Sequence, residues 1–130
     1  MYIIMIGCGR LGSVLAEELS GLGHNVVVID KNSLALDVLG ERFNGITITG
    51  DALSLEVLEK AGIKNADVVC SLTGNDNLNI VVAQLVKKMF DVKKVILQIH
   101  DSSKEEIVQK GVKIINRSTL FVEEFKKCIL

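Results

Sequence analysis

Two rhythms of apolar residues alternate along this chain. Short runs rich in Ile and Val occur at Tyr2–Ile6, Asn25–Ile29, Ile46–Thr49, Asp67–Leu72, Lys94–Ile99 and Val112–Ile115, and they predict strands. Between them the apolar positions fall at helical spacing. Leu11, Val14, Leu15, Leu19 and Leu22 share one face of a first helix that Gly23 stops. A second helix, capped by Asn32 or Ser33, carries Leu34, Leu36, Val38 and Leu39. A short third one starts at Ser54 and ends before Gly62, and a long fourth one, over about Asp76–Met89, carries Leu78, Val81, Val82, Leu85 and Val86. Ser102 and Glu105 have the spacing of a capping box for a fifth, and Leu120, Phe121, Val122 and Phe125 mark a last helix over Ser118–Cys128. This alternation predicts a doubly wound six-stranded parallel sheet with helices on both faces.

Composition supports that architecture. The chain has 130 residues, enough for one domain with a proper core, and no linker, repeat or low-complexity stretch interrupts it. Apolar residues make up 48% and charged residues 24%, which excludes disorder. With four Phe and one Tyr, the core must rest on Ile, Val and Leu, as in a parallel sheet buried on both faces. A net charge of −1 marks no nucleic-acid or membrane-surface binder. No run is long enough to insert into a bilayer, and no signal peptide opens the chain, so a cytoplasmic protein is expected. Cys8, Cys70 and Cys128 lack paired or metal-type spacing and are expected to be reduced thiols. Cys8 reads either as a small residue that fits a turn or as a redox sensor whose pKa a helix N-terminus lowers.

Chemistry enters at the end of the first strand. Gly7-Cys8-Gly9-Arg10-Leu11-Gly12 follows an apolar strand and opens a helix, and Asp30 lies 18 residues beyond Gly12 at the end of the second strand. Together they form the fingerprint of a Rossmann-like βαβ unit that holds the adenosine end of a dinucleotide. Gly7 takes the tight turn, Gly9 lets the backbone approach a pyrophosphate, and Gly12 lets helix and strand pack closely. The helix N-terminus offers N–H groups and a positive dipole end to a phosphate. Asp30 accepts hydrogen bonds from the ribose hydroxyls and repels a 2′-phosphate, an effect softened by Lys31. NAD(H) or an adenine nucleotide is therefore favoured over NADP(H). The other strand ends carry Gly50-Asp51-Ala52, Thr73-Gly74-Asn75-Asp76 and Gln98 to Asp101, and all these segments should converge on one crevice where the strand order reverses between strands one and four.

The set Gly7-Cys8-Gly9-Arg10-Leu11-Gly12, Ile29-Asp30-Lys31, Gly50-Asp51-Ala52 and Ala66-Asp67 through Leu72-Thr73-Gly74, Asp76 and Asn79 resembles the N-terminal nucleotide-binding domain of regulators of potassium conductance. These are the cytoplasmic subunits or domains of the Trk and Ktr potassium-uptake systems and of ligand-gated potassium channels. The resemblance covers essentially the whole chain. It implies a domain that binds NAD(H) or ATP/ADP, pairs into homodimers or a larger ring, and controls a membrane potassium-translocating subunit. The binding set it implies is Gly7, Cys8, Gly9, Arg10, Leu11, Gly12, Asp30, Lys31, Asp51, Ala52, Leu72, Thr73, Gly74 and Asn79. The three glycines would form the phosphate loop, Asp51 and Ala52 would border the adenine, and Thr73 with Gly74 would approach the phosphates or the distal end. Arg10 would reach a terminal phosphate of its own or a neighbouring subunit, unless it is a surface residue of an exposed first turn. Gln98 and Ser102 stand where the family often has arginine and proline. Family members usually carry a second, C-terminal ligand-binding domain, and these residues are expected to hold only the first.

The remaining candidates read more plainly. His24 is expected to be solvated, His100 to lie near the crevice, and Asp76 to cap the fourth helix rather than bind a metal. Lys87-Lys88 and Lys126-Lys127 suit helix ends. The apolar residues of the last helix serve either the core or a dimer surface. A short-chain reductase needs a tyrosine with a lysine four residues on, and Tyr2, in the first strand, is the only tyrosine. With no nucleophile–base or metal-ligand constellation, binding without catalysis is the expectation. The alternatives are the cofactor-binding domain of an NAD-dependent oxidoreductase and a stand-alone NAD(H) sensor.

Overall fold

Six parallel strands in the order β3-β2-β1-β4-β5-β6 make up the sheet of the computed structural model, which describes residues 1–130. The strands are β1 (Tyr2–Ile6), β2 (Asn25–Asp30), β3 (Ile46–Thr49), β4 (Val68–Ser71), β5 (Lys94–Ile99) and β6 (Val112–Asn116). In the central ladder Ile4 lies beside Val27 on one side and Val69 on the other, so the middle of the sheet is mostly Ile and Val, with Met5 and Cys70 paired next to them. The Rossmann-like, doubly wound arrangement is the one the alternating pattern predicts. Because β1 is flanked by β2 and β4, the connections leaving β1 and β4 part to opposite faces and open a crevice at the carboxyl ends.

Successive strand residues point to opposite faces and build two apolar layers. The thicker layer has 19 buried residues, among them Ile4, Ile29, Val69 and Leu97 of the sheet, covered by Leu58 of α3 (Leu55–Lys60) and Ile80, Ala83 and Val86 of α4 (Asp76–Met89). The thinner layer has 10, including Ile3, Met5, Val28 and Cys70 under Ala16 of α1 (Arg10–Gly21) and Leu36 of α2 (Ser33–Leu36). Truncating a fully buried Leu97 to Ala in such a layer costs about 2–5 kcal/mol.

Several elements depart from the sequence pattern. α1 buries its apolar stripe only in part: Leu15 and Leu19 are half-buried against the thinner layer, but Leu11 and Val14 are 44% and 55% exposed and Leu22 is 74% exposed. The helix meets the sheet through Gly12, Ser13, Ala16 and Ser20, because small side chains allow a close approach to β1 and β2. Its C-terminus is a Schellman turn, with Gly23 at φ +91°, Gly23 N–H donating to Ser20 O (3.0 Å) and His24 N–H to Leu19 O (3.2 Å). His24 is half-buried, its Nδ1 3.0 Å from the Met1 amine. α2 is a single turn capped by Asn32, whose Oδ1 accepts from Leu34 N (3.0 Å), and Val38 beyond it is exposed.

α4 has the expected bounds, but its cap is Asn75, accepting from Leu78 N, and not Asp76. The predicted fifth helix is a 3-10 helix, Ser102–Ile107, capped by Asp101 through Ser103 N (3.0 Å). The Ser102–Glu105 box does not form, and Ser102 Oγ instead accepts from Asn116 Nδ2 (2.9 Å). A further 3-10 turn, Ile63–Asn65, precedes β4. The last helix, α5 (Arg117–Ile129), is capped by Asn116 and buries no residue, so Leu120, Phe121, Val122 and Phe125 are surface rather than core. No helix is long and apolar enough to cross a membrane.

Candidate functional site

At the carboxyl ends of β3, β2, β1 and β4, in that spatial order, lies a cleft of about 470 Å³. Its floor is the turn from β1 into α1. Gly7, at φ +105°, donates from its N–H to Ile29 O (2.8 Å), and a Cβ there would stand 2.9 Å from Thr73 N. A Cβ on Gly12 would run into the carbonyl oxygen of Gly7. Packing therefore accounts for these two glycines. It does not account for Gly9, where an added Cβ would meet nothing within 4 Å.

Gly9 is also the N-cap of α1, and no side chain caps this helix. Each of the other four α-helices has an Asn or Ser oxygen accepting from its first turn. The first-turn amides of α1 and the positive end of its dipole are thus left without a side-chain acceptor beside open space. Asp30 forms the next wall. Its Oδ2 accepts from Cys8 N and its Oδ1 from Asn32 N, both at 2.8 Å, which ties the glycine loop to the end of β2. Each carboxylate oxygen keeps a further lone pair. Beyond it, Asp51 Oδ1 accepts from Leu53 N (2.9 Å) and turns the chain after β3 so that Ala52 and Leu53 close the far end.

Ten of the fourteen residues singled out in the sequence line this cleft: Gly7, Cys8, Gly9, Asp30, Lys31, Asp51, Ala52, Leu72, Thr73 and Gly74. Four do not. Gly12 acts through packing, Arg10 and Leu11 sit exposed on the first turn of α1, and Asn79 is buried behind the wall. Asn79 Oδ1 accepts from Thr73 N (2.9 Å) and Thr73 Oγ1 (2.6 Å), while its Nδ2 donates to Thr73 O and Gln98 O, both at 2.9 Å. The sequence pattern did not single out Asn32, Ala35, Leu53 and Leu78, which also line the cleft. Adjacency to Asp30-Lys31 and to Gly50-Asp51-Ala52 could have found Asn32 and Leu53. Ala35 and Leu78 face the cleft only because of where α2 and α4 lie, and no residue type announces that.

Electrostatics decides between the two readings of Cys8. The Cys8 thiol is not activated by the helix end: burial raises its pKa, and the charges of Asp30 and Glu17 add to the rise. Burial likewise pushes Cys70 up to about 11. His100 does not line the cleft; its ring Nδ1 lies 3.2 Å from Asp76 Oδ1. Asp76 also accepts from His100 N (3.0 Å) and Asp101 N (2.9 Å), pinning the start of α4 to the end of β5. Burial alone would raise the Asp76 carboxyl, but the hydrogen bonds from Asp101 and from the His100 ring and backbone outweigh it, and its pKa is lowered.

Comparison with known proteins agrees with this geometry. The chain is 37% identical over 110 residues to the Trk system potassium uptake protein TrkA of Streptomyces coelicolor, covering 85% of this chain and 49% of that protein. It is 40% identical over 110 residues to the TrkA homolog of Pyrococcus abyssi, covering 85% and 48%. The chain thus spans about half the length of these relatives. Among solved structures, the TrkA-N domain of the inner membrane protein ybaL from Escherichia coli superposes with a TM-score of 0.88 at 19% identity, covering 99% of this chain and 96% of that one. The GsuK channel bound to NAD gives 0.74 at 18% identity over 88% of this chain and 21% of that one, and GsuK bound to ADP gives 0.75 at 18% over 88% and 31%. The TrkA-N domain profile matches residues 3–117, and the chain belongs to the TrkA-N domain family.

Proposed function

We propose that this domain binds NAD(H) or ATP/ADP in the cleft and thereby regulates a membrane potassium transporter or channel, without chemistry of its own. The observation that carries the reading is the conjunction at Gly9. A glycine with no packing reason caps a helix that has no side-chain cap, and both face the cleft that Asp30 walls. A pyrophosphate fits that environment because it supplies the acceptors the first turn lacks. The ribose hydroxyls of the adenosine half then meet Asp30, and the base lies towards Ala52 and Leu53. A 2′-phosphate would meet the Asp30 carboxylate, which disfavours NADP(H). GsuK bound to NAD and to ADP shares this fold, which supports the choice of ligand class.

Tyr2 supports the non-catalytic reading. Its hydroxyl donates to Ala61 O (2.7 Å) at the amino end of β1, the end of the sheet opposite the cleft. The Trk potassium uptake relatives point to a cytoplasmic regulatory partner of a potassium-translocating subunit, and the exposed apolar face of α5 is the surface through which copies of the domain would pair. The bound nucleotide acts by its differential affinity for two arrangements of the paired domains.

Calorimetric titration with NAD, NADH, NADP, ATP and ADP tests the ligand. Binding of NAD(H) or of ATP/ADP, lost in Asp30→Ala, is the expected result. Binding of NADP alone would overturn the role of Asp30, and binding of none of the five would overturn the reading. Potassium uptake by cells carrying Asp30→Ala tests the regulatory half, where loss of nucleotide-dependent control is expected.

A further inference from the structure

The geometry points to Asn79 as the positioning residue for the half of the cleft beyond the phosphates, and hence as a determinant of preference for a dinucleotide over a mononucleotide. The inference rests on the nucleotide reading of the cleft. Adjacent strands stand about 4.8 Å apart, so the loops after β3, β2, β1 and β4 lie in line over about 14 Å. With the base near β3, the ribose at β2 and the phosphates at the α1 N-terminus, the loop Leu72–Gly74, together with Leu78 of α4, remains to meet the distal half of a dinucleotide.

One side chain makes most of the hydrogen bonds that shape that loop. Thr73 N–H donates to Asn79 Oδ1 and Thr73 C=O accepts from Asn79 Nδ2, each at 2.9 Å, so the amide stands in for the neighbouring strand that the chain leaves behind after β4. The same amide takes the Thr73 hydroxyl and holds Gln98 O of β5. Gln98 Nε2 supports the loop from the other side, donating to Thr73 O at 3.3 Å. Asn79 is wholly buried and touches none of the cleft, while Thr73 and Gly74 line it. An aspartate of the same shape keeps the acceptor but turns a carboxylate oxygen towards the carbonyls of Thr73 and Gln98, so both donor bonds are lost. The loop would then leave its place while Gly9, Asp30 and Ala52 keep theirs.

Titration of Asn79→Asp and Gln98→Met with AMP and with NADH tests this, with circular dichroism and melting to establish folding. Asn79→Asp should weaken NADH by about tenfold and leave AMP within about twofold, and Gln98→Met should weaken NADH alone by about threefold. Equal loss of AMP and NADH, or no loss of NADH, would overturn the positioning role. Should Asn79→Asp fail to fold, the Gln98→Met titration decides on the same criteria. Failure of the unsubstituted chain to bind NADH would overturn the positioning role; the nucleotide reading itself falls only if NAD, NADH, NADP, ATP and ADP all fail to bind.

Discussion

Gly9 and Gly12 belong to the same motif, yet the structure gives them different work, and alanine at each should separate packing from binding. At Gly12 a Cβ strikes the Gly7 carbonyl oxygen, a backbone atom that cannot swing aside. Overpacking of this severity costs about 3 kcal/mol. The better helix propensity of alanine returns about 1 kcal/mol, leaving a net loss of about 2 kcal/mol. At Gly9 the backbone is at φ −83° and ψ −160°, open to any residue, and the added methyl meets nothing. Alanine there gains about 0.4–1 kcal/mol by stiffening the unfolded chain and loses about as much as a poorer N-cap, so stability should change by under about 0.5 kcal/mol. For a domain of this size each kcal/mol moves Tm by about 4 °C. Thermal melts should therefore show Gly12→Ala lower by about 8 °C and Gly9→Ala within about 2 °C of the parent. Nucleotide at 100 times its Kd should raise the parent by about 2.7 kcal/mol, or about 10 °C, and Gly9→Ala hardly at all. Equal destabilisation by both substitutions, or a full ligand shift in Gly9→Ala, would refute the division.

Other contacts carry outcomes of their own. Asp30→Asn should cost about 1 kcal/mol of stability by weakening the ties to Cys8 N and Asn32 N, and should narrow the preference for NADH over NADPH in competition titrations. Because the folded-state pKa of Asp76 lies below its ordinary 3.8, its contribution is present above that pH and lost as pH falls through the lowered value; Asp76→Asn should therefore flatten the acid limb of a stability–pH curve below about pH 4. Burial holds Cys8 and Cys70 as thiols, so alkylation at pH 8 should label Cys128 rapidly and the other two only on unfolding; Cys8 reacting as fast as Cys128 would contradict the assigned burial. Phe125, 67% exposed on α5, contributes nothing to the core, so Phe125→Lys should leave the Tm of the monomer, measured at low concentration, unchanged while reducing self-association in sedimentation. Dimers of unchanged stability in that variant would remove α5 from the pairing surface.

Much of this site could be read from the chain because its parts are set by backbone chemistry. A glycine loop between strand and helix, and an acid at the end of the next strand, must meet once the strands pair in parallel, whatever the details of packing. What escaped depends on three-dimensional placement. Asp76 reads as a cap because it stands first in α4, but Asn75 before it has the free carboxamide and the extended backbone a cap requires. Asp76 is then released to bind His100 and Asp101, an attachment 24 and 25 residues away that no local spacing encodes. Asn79 reads as a ligand contact because it belongs to the same motif as Thr73. Only the folded chain reveals that its amide is consumed by the protein.

The misread face of α1 has one physical origin with the asymmetry of the molecule. Periodicity identifies an apolar stripe but not what the stripe covers. A helix held against its strand by the closeness of Gly12 to Gly7 must present small residues inward, and Ser13, Ala16 and Ser20 supply them. Leu15 and Leu19 pack only partly against the thinner layer, and Leu11 and Leu15 face the half of the sheet where α5 should close the layer. There α5 buries nothing, and Leu11, Leu15, Ile96, Ile115, Leu120 and Phe121 line an apolar groove of about 320 Å³. Leu72 lines this groove as well as the cleft at the carboxyl ends of the strands. The backbone at Leu72 is also held by Gln98 Nε2, the group that supports Thr73. A ligand that reshapes the Thr73 loop would therefore shift one wall of the surface on which α1 and α5 leave their apolar side chains, which is the physical form that coupling between nucleotide and domain pairing would take.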